Sequence, residues 1–206
     1  MKSLYLASSI ADSGAHIAKK VKPKHAAFII TAGEPEKEKG WIDDDRNGLN
    51  KAGISTFDYT LTGKTPANLE RDLGGCDLIH VNGGNDFYLL LQAKKSGFDQ
   101  FINKQVNKGV IYIGSSAGSA VAAPDIAIAS FWESDRKYLA MLPDTQGLNL
   151  VDFIVFPHWA SELYKDLYAK RLADAYQKGN KIILLNDDQY VEVKDDHYRI
   201  VDVTKE

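Results

Sequence analysis

The chain has 206 residues, 44% hydrophobic and 26% charged, a composition typical of a globular protein with a sizeable core. Its formal net charge of −3 gives no indication of binding to nucleic acid or to an anionic membrane surface. The apolar runs have the length of strands, and the N-terminal run is too short for a signal peptide. The single cysteine, Cys76, excludes an internal disulfide. We therefore predict one cytoplasmic domain over residues 1–206, with no membrane or nucleic-acid partner.

Short apolar runs alternate along the chain with amphipathic stretches of helical spacing. This alternation predicts βαβ units and a mostly parallel sheet with helices on both faces. The last two strands are too close together for a crossover helix, so we predict a hairpin at the sheet edge. The predicted strands are 3–7, 26–30, 54–58, 78–81, 110–113, 126–129, 153–156, 182–185, 190–193 and 197–201. The predicted helices are 11–20, 41–52, 86–95, 98–108 and 163–177.

Three loops that follow predicted strands carry residues suited to chemistry. In open α/β sheets, functional groups gather in loops beyond the carboxyl ends of the strands. The three loops are 82–85 (Asn-Gly-Gly-Asn), 114–118 (Gly-Ser-Ser-Ala-Gly) and 157–159 (Pro-His-Trp). We expect them to converge on one site.

The loop 114–118 has the pattern Gly-x-Ser-x-Gly, with Ser116 at its centre. A strand that ends in this pattern and opens into a helix is typical of a nucleophile elbow, a sharp turn that exposes a hydroxyl group. The small residues allow the strand and helix backbones to come close, and the helix N-terminus suits an oxyanion. The alternative interpretation is a glycine-rich turn without catalysis, or one that binds a phosphate.

His158 is the histidine best placed to act as a base, because it follows a predicted strand directly. A Ser…acid…His order is one known solution for a catalytic triad, which would place the acid between Ser116 and His158. Each carboxylate in that interval could instead be a solvated loop residue, and His158 a structural one. The candidate acids are Asp125, Glu133, Asp135, Asp144 and Asp152.

The glycines of the loop 82–85 would let its backbone approach a substrate closely. The N–H of Gly84 is a candidate oxyanion donor, and the N–H of Ala117, the residue after the candidate nucleophile, is the second. The alternative is a plain turn before a helix, with Asn85 or Asp86 as its N-cap.

The segments VNGGNDFYLLLQ and KGVIYIGSSAGSAV, followed by Phe-Pro-His-Trp at 156–159, resemble the peptidase E (aspartyl dipeptidase) family, which includes the cyanophycinases. The resemblance covers about residues 78–160. It implies a flavodoxin-like, three-layer α/β fold related to class I glutamine amidotransferases. It also implies serine peptidase chemistry with no metal or organic cofactor.

Carried over by position, the resemblance assigns Ser116 as the nucleophile and His158 as the base, with Gly84 and Ala117 as the oxyanion donors. For the acid, Asp135 fits the spacing to His158 best. Glu133 fits nearly as well and resembles the cyanophycinase choice.

The substrate contacts implied by the resemblance are less complete. Aspartyl dipeptidases of the family are thought to clamp the substrate aspartate with an arginine on the helix after the histidine. Here Tyr168 aligns near that position, which argues against strict specificity for N-terminal aspartate. Asn85 and Tyr168 are the predicted substrate contacts.

The predicted function is hydrolysis of a short peptide through an acyl-enzyme. The alternatives are an esterase that uses the same Ser116 and His158, and a non-catalytic binding protein that retains the fold. Glutamine amidotransferase chemistry needs a cysteine at the elbow, and Cys76 lies elsewhere. Nothing in the sequence indicates an oligomeric state.

Overall fold

The computed structural model describes residues 1–129, 133–159, 161–162, 164–165, 172, 175–176 and 179–205, without the side chains of residues 133 and 134. The seven strands of its main sheet are β1 (Ser3–Ala7), β2 (Ala26–Ile29), β3 (Thr56–Tyr59), β4 (Leu78–Val81), β5 (Ile111–Ser115), β8 (Gln189–Lys194) and β9 (His197–Asp202). They lie in the order β3-β2-β4-β5-β1-β8-β9. The five strands from β3 to β1 in this order are parallel, as predicted.

Helices cover both faces of this sheet and produce the predicted three layers. The helices are α1 (Ile10–Ala18), α2 (Gly40–Lys51), α3 (Pro66–Leu73), α4 (Asp86–Ser96), α5 (Phe98–Asn107), α6 (Ala117–Ala120) and α7 (Glu133–Leu139). One apolar cluster includes residues of α1 and α2, and a second includes residues of α3, α4 and α5. Adjacent side chains of the strands alternate between the two clusters. None of the helices in the described part of the chain combines the length and the apolar character needed to cross a membrane.

The C-terminal strands form the hairpin that the short connection predicts. β8 pairs antiparallel with β9, and Asp195 in the turn has a positive φ of 52°. β8 also pairs antiparallel with β1, with Leu4 opposite Val193. The hairpin thus extends the sheet beyond β1 and leaves β9 at its edge.

Two further strands form a separate, small parallel sheet. β6 (Ile154–Phe156) pairs with β7 (Ile182–Leu184), and neither strand joins the main sheet. Beyond the strands, the N–H of Leu185 donates to Phe156 O at 2.9 Å, and the N–H of Trp159 donates to Leu185 O at 2.8 Å. One face of this sheet packs in a small apolar cluster, while Val155 and Ile183 on the other face pack in the larger cluster that contains α3, α4 and α5. The buried members of the small cluster among the described residues are Ala123, Ile128, Ile154, Phe156 and Ala175.

The prediction of a strand at residues 126–129 is wrong. Residues Ala127–Ala129 form a 3-10 helix, because the carboxylate of Asp125 accepts the N–H of Ala127 at 2.6 Å and closes a turn after Pro124. The apolar residues of this segment pack in the interior without extending the sheet. The predicted helix 163–177 falls largely outside the described residues.

Candidate active site

Three neighbouring strands of the main sheet, β4, β5 and β1, end at one cavity of about 760 Å³. Residues 83–86, from the loop after β4 and the first position of α4, line this cavity. Ser116, which also lines it, follows β5. Ser8 follows β1, and His158 follows β6 of the small sheet. The expected convergence of the three loops is therefore observed, but the third loop comes from a different sheet.

Ser116 stands at a strained turn between β5 and α6, with φ 50° and ψ −111°. Such a conformation is rare for residues other than glycine and clusters at functional sites. The N–H of Ser116 donates to the carbonyl oxygens of Ala7 and Ser8, both at 3.1 Å, which holds the turn against the end of β1.

The glycines of this elbow allow backbones to touch. A Cβ at Gly118 would overlap the carbonyl oxygen of Val81 in β4, and one at Gly114 would lie 2.6 Å from the carbonyl group of Gly118. Gly83 comes similarly close, since a Cβ there would lie 3.1 Å from Cβ of Ser116. The loop 83–86 therefore passes directly beside the hydroxyl group of Ser116.

Ser116, His158 and Asp187 form a continuous hydrogen-bonded chain. His158 Nε2 lies 2.9 Å from Ser116 Oγ, and His158 Nδ1 lies 2.6 Å from Asp187 Oδ1. Because a carboxylate can only accept, Nδ1 carries the proton and donates to Asp187. In the neutral imidazole Nε2 then accepts from the hydroxyl group of Ser116, which is the arrangement needed to remove its proton.

The electrostatics of this chain favour an ionised Asp187. The hydrogen bond from His158 lowers the pKa of Asp187 against the opposing effect of burial, and a second hydrogen bond from Ser8 lowers this pKa further. Tyr164 stacks on the imidazole ring of His158, with ring centroids 5.4 Å apart and planes 20° from parallel.

The carboxylate beside His158 is Asp187 and not Asp135, which the sequence favoured. Asp135 is buried in the same cavity, but its Oδ1 accepts from Asn85 Nδ2 at 3.1 Å. Glu133 begins α7, and its side chain lies outside what the structure describes. The remaining candidates have other partners: Asp125 caps a turn, Asp144 pairs with Lys94, and Asp152 pairs with Lys181.

Asp187 reaches His158 because β6 and β7 are partners in the small sheet. His158 lies two residues beyond β6, and Asp187 lies three residues beyond β7. The sequence did carry a signal, since residues 186–188 (Asn-Asp-Asp) follow a predicted strand. The assumed chain order of serine, acid and histidine considers only carboxylates before His158, whereas Asp187 follows His158.

The two predicted oxyanion donors, the N–H groups of Gly84 and Ala117, belong to the loop after β4 and to the start of α6. Gly84 has a φ of 137°, and a Cβ there would overlap the carbonyl group of Ala32, so only glycine fits. Ala117 is the first residue of α6, where an N–H has no partner within its helix. Among the described residues neither N–H has a hydrogen-bond acceptor. The assignment of Gly84 and Ala117 as oxyanion donors stays a prediction.

The two predicted substrate contacts have different outcomes. Asn85 is the N-cap of α4: its Oδ1 accepts the N–H of Tyr88 at 2.9 Å, while its Nδ2 donates to Asp135. Both ends of its side chain are therefore engaged within the protein. Tyr168 lies outside the described residues.

The cavity carries a strongly acidic lining. Burial raises the pKa of Asp45 to about 6, although hydrogen bonds from Ser115 and Ala11 oppose this shift. Burial, with repulsion from Asp135, raises the pKa of Asp86 to about 7. Of the described residues that line the cavity, none is a lysine or an arginine, and five are carboxylates: Glu36, Asp45, Asp86, Asp125 and Asp135.

The fold and this geometry define a class of protein. A mostly parallel α/β sheet presents a serine on a strained elbow, a histidine at hydrogen-bond distance and a carboxylate behind it. This is the arrangement of hydrolases with a serine nucleophile, which occurs on several unrelated folds.

Comparison with known proteins identifies the family: the chain belongs to peptidase family S51, whose model matches residues 7–201. It is 35% identical to an uncharacterized peptidase of Pasteurella multocida over 85% of this chain and 86% of that protein. A Peptidase E of Streptomyces coelicolor is 31% identical over 55% of this chain and 43% of its own length. A crystal structure from Listeria monocytogenes, provisionally assigned as a peptidase E, has a TM-score of 0.88, 25% identity and 98% coverage of both chains. The chain is therefore a member of a peptidase family with the peptidase E fold.

The two competing carboxylates can be separated by matched substitutions. We expect Asp187→Asn to slow covalent labelling of Ser116 by a fluorophosphonate roughly 1,000-fold, because His158 would be held in the wrong tautomer. Asp135→Asn should slow this labelling less than about tenfold, since Asp135 does not contact His158. A larger loss in the Asp135 variant than in the Asp187 variant would contradict the assignment.

The raised pKa of Asp86 predicts a pH-dependent cost to stability. Between its ordinary value of 3.8 and about 7, the folded protein retains a proton that the unfolded chain has released, so stability falls as pH rises. We expect Asp86→Asn to raise the melting temperature by roughly 5 °C at pH 8 and to have little effect at pH 4. The control is Asp12→Asn on the exposed face of α1. An equal shift at both pH values would show that the effect is not due to ionisation.

Proposed function

We propose that this member of family S51 is a serine peptidase that cleaves short peptides through an acyl-enzyme. The observation that carries the proposal is the hydrogen-bonded chain from Ser116 through His158 to Asp187. The N–H groups of Gly84 and Ala117, which have no acceptor among the described residues, support it. Family membership supports peptide hydrolysis as the reaction. We also propose a cytoplasmic location, with which a single cysteine and therefore no internal disulfide is consistent.

In the proposed reaction, Ser116 Oγ attacks the peptide carbonyl carbon while His158 Nε2 accepts the hydroxyl proton. Asp187 stabilises the imidazolium that forms, and the N–H groups of Gly84 and Ala117 stabilise the oxyanion. His158 then transfers its proton to the leaving amine, and the C–N bond breaks. Water, deprotonated by His158, attacks the ester and releases the acid product and Ser116.

The acidic lining of the cavity supports a substrate that is neutral or positively charged near the scissile bond. Asp86 and Asp135 line the cavity together with Gly84, one of the proposed oxyanion donors. A further negative charge brought there by a substrate would lose hydration and be repelled by these carboxylates. Burial is the main cause of the raised pKa of Tyr164, and nearby carboxylates raise this pKa further, which indicates a negative potential across the site. A substrate aspartate would meet repulsion here, so we propose that strict specificity for N-terminal aspartate is absent.

The nucleophile can be tested without knowing the natural substrate. A fluorophosphonate should form a covalent adduct on Ser116 in the wild-type protein and none in Ser116→Ala, with equal melting temperatures. Ser13→Ala is the matched control, because Ser13 is a buried serine on α1 that donates only to the carbonyl oxygen of Ser9. A folded wild-type protein that forms no adduct would favour a non-catalytic binding protein.

Substrate charge can be tested with a panel of dipeptides. We expect Lys-Leu and Ala-Leu to be hydrolysed with a kcat/KM at least roughly tenfold above that of Asp-Leu, and Asp135→Asn to narrow the difference. Ser116→Ala controls for a contaminating peptidase. A preference for Asp-Leu would contradict the proposed specificity, and turnover of simple esters alone would favour an esterase.

A further inference from the structure

Ser8, the residue directly after β1, contacts all three residues of the hydrogen-bonded chain. We propose that Ser8 is a positioning residue, whose hydroxyl group orients Asp187 and His158 so that His158 can accept the proton of Ser116. This inference rests on the proposed function and concerns a residue that the sequence motifs do not single out. The side chains of β1 itself pack in the two apolar clusters, and the inference adds a functional role for the residue that follows this strand.

The three contacts of Ser8 have defined directions. Its carbonyl oxygen accepts the N–H of Ser116 at 3.1 Å, and its Oγ accepts the N–H of His158 at 2.7 Å. Its hydroxyl proton is then free for Asp187, because Oγ lies 2.7 Å from Asp187 Oδ1 and a carboxylate can only accept. One small side chain thereby joins the main sheet to both loops of the small sheet.

The exposure of the partners indicates which residue holds the other. Ser8 is 1% exposed, and its N–H donates to Gln189 O at 3.2 Å. The side chain of Asp187 is 46% exposed. Packing therefore fixes Ser8 but does not fix Asp187, whose orientation must come from hydrogen bonds. Ser8 and His158 are its described donors.

The backbone of His158 needs the same support. Its φ of 58° is unfavourable for a residue with a side chain. The hydrogen bond from its N–H to Ser8 helps to hold this conformation, and Ser8 Oγ also lies 3.5 Å from His158 Nδ1. The lowered pKa of Asp187, to which the Ser8 hydrogen bond contributes, agrees with this geometry.

A positioning role and a purely structural role lead to different energetics. If Ser8 acts through Asp187 as well as on the His158 backbone, removal of its hydroxyl group should slow labelling more while the carboxylate is present than in its absence. If Ser8 merely stabilises the fold, its removal should have the same effect with or without Asp187. A double-mutant cycle separates these cases.

The experiment measures the maximal rate of fluorophosphonate labelling of Ser116 and the probe concentration at half-maximal rate. We expect Ser8→Ala to lower the maximal rate roughly 10- to 100-fold with the half-saturating concentration unchanged. In an Asp187→Ala background the same substitution should slow labelling at least about fivefold less, because only the hydrogen bond from the His158 N–H is then lost. Ser8→Cys, which retains a side chain of similar shape but forms weak hydrogen bonds, should behave like Ser8→Ala. Ser13→Ala is the control, with melting temperatures measured throughout.

Two results would overturn the inference. One is an unchanged labelling rate in a folded Ser8→Ala or Ser8→Cys variant. The other is an equal fold-loss in the presence and absence of the Asp187 carboxylate. If the folded wild-type protein itself fails to label, the proposed function fails first, so the two failures are distinguishable.

Discussion

The site depends on one backbone constraint, the positive φ of Ser116 where β5 turns into α6. This conformation directs the hydroxyl group away from the sheet and towards His158. It is unfavourable by itself, and it persists because the N–H of Ser116 is bonded to carbonyl oxygens at the end of β1. The glycines around it matter for the same reason, since a Cβ at Gly118 would push α6 away from β4 and release the turn.

Much of the fold follows from local patterns in the sequence. The main parallel strands, the C-terminal hairpin and the helices on both faces could be predicted, because the spacing of apolar residues along the chain indicates which side chains are buried. The pairing between distant segments could not be predicted in this way. The sequence therefore contains no indication that β6 and β7 form a sheet separate from the main one. The strand predicted at 126–129 failed because a capping interaction of Asp125 outweighs the preference of its apolar residues for a strand.

Those residues of the site that lie in a recognisable sequence motif could be predicted. Ser116 and His158 each lie in a short pattern at the end of a strand, and the structure brings them within 2.9 Å. Asp187 and Ser8 also follow strands, but neither lies in a motif that indicates a particular chemistry. Their proximity to His158 results from the pairing of β6 with β7 and from the order of β1 beside β5, which are properties of the assembled fold.

The separation of the two sheets divides the proposed catalytic residues between two parts of the molecule. The nucleophile and the loop 83–86 belong to the large sheet, while His158 and Asp187 follow the strands of the small one. In the described part of the chain, Ile154 and Phe156 on one face of the small sheet pack in a small apolar cluster, while Val155 and Ile183 on its other face pack in the larger cluster of the main sheet. The packing between the two sheets therefore sets the distance between the hydroxyl group of Ser116 and the imidazole of His158.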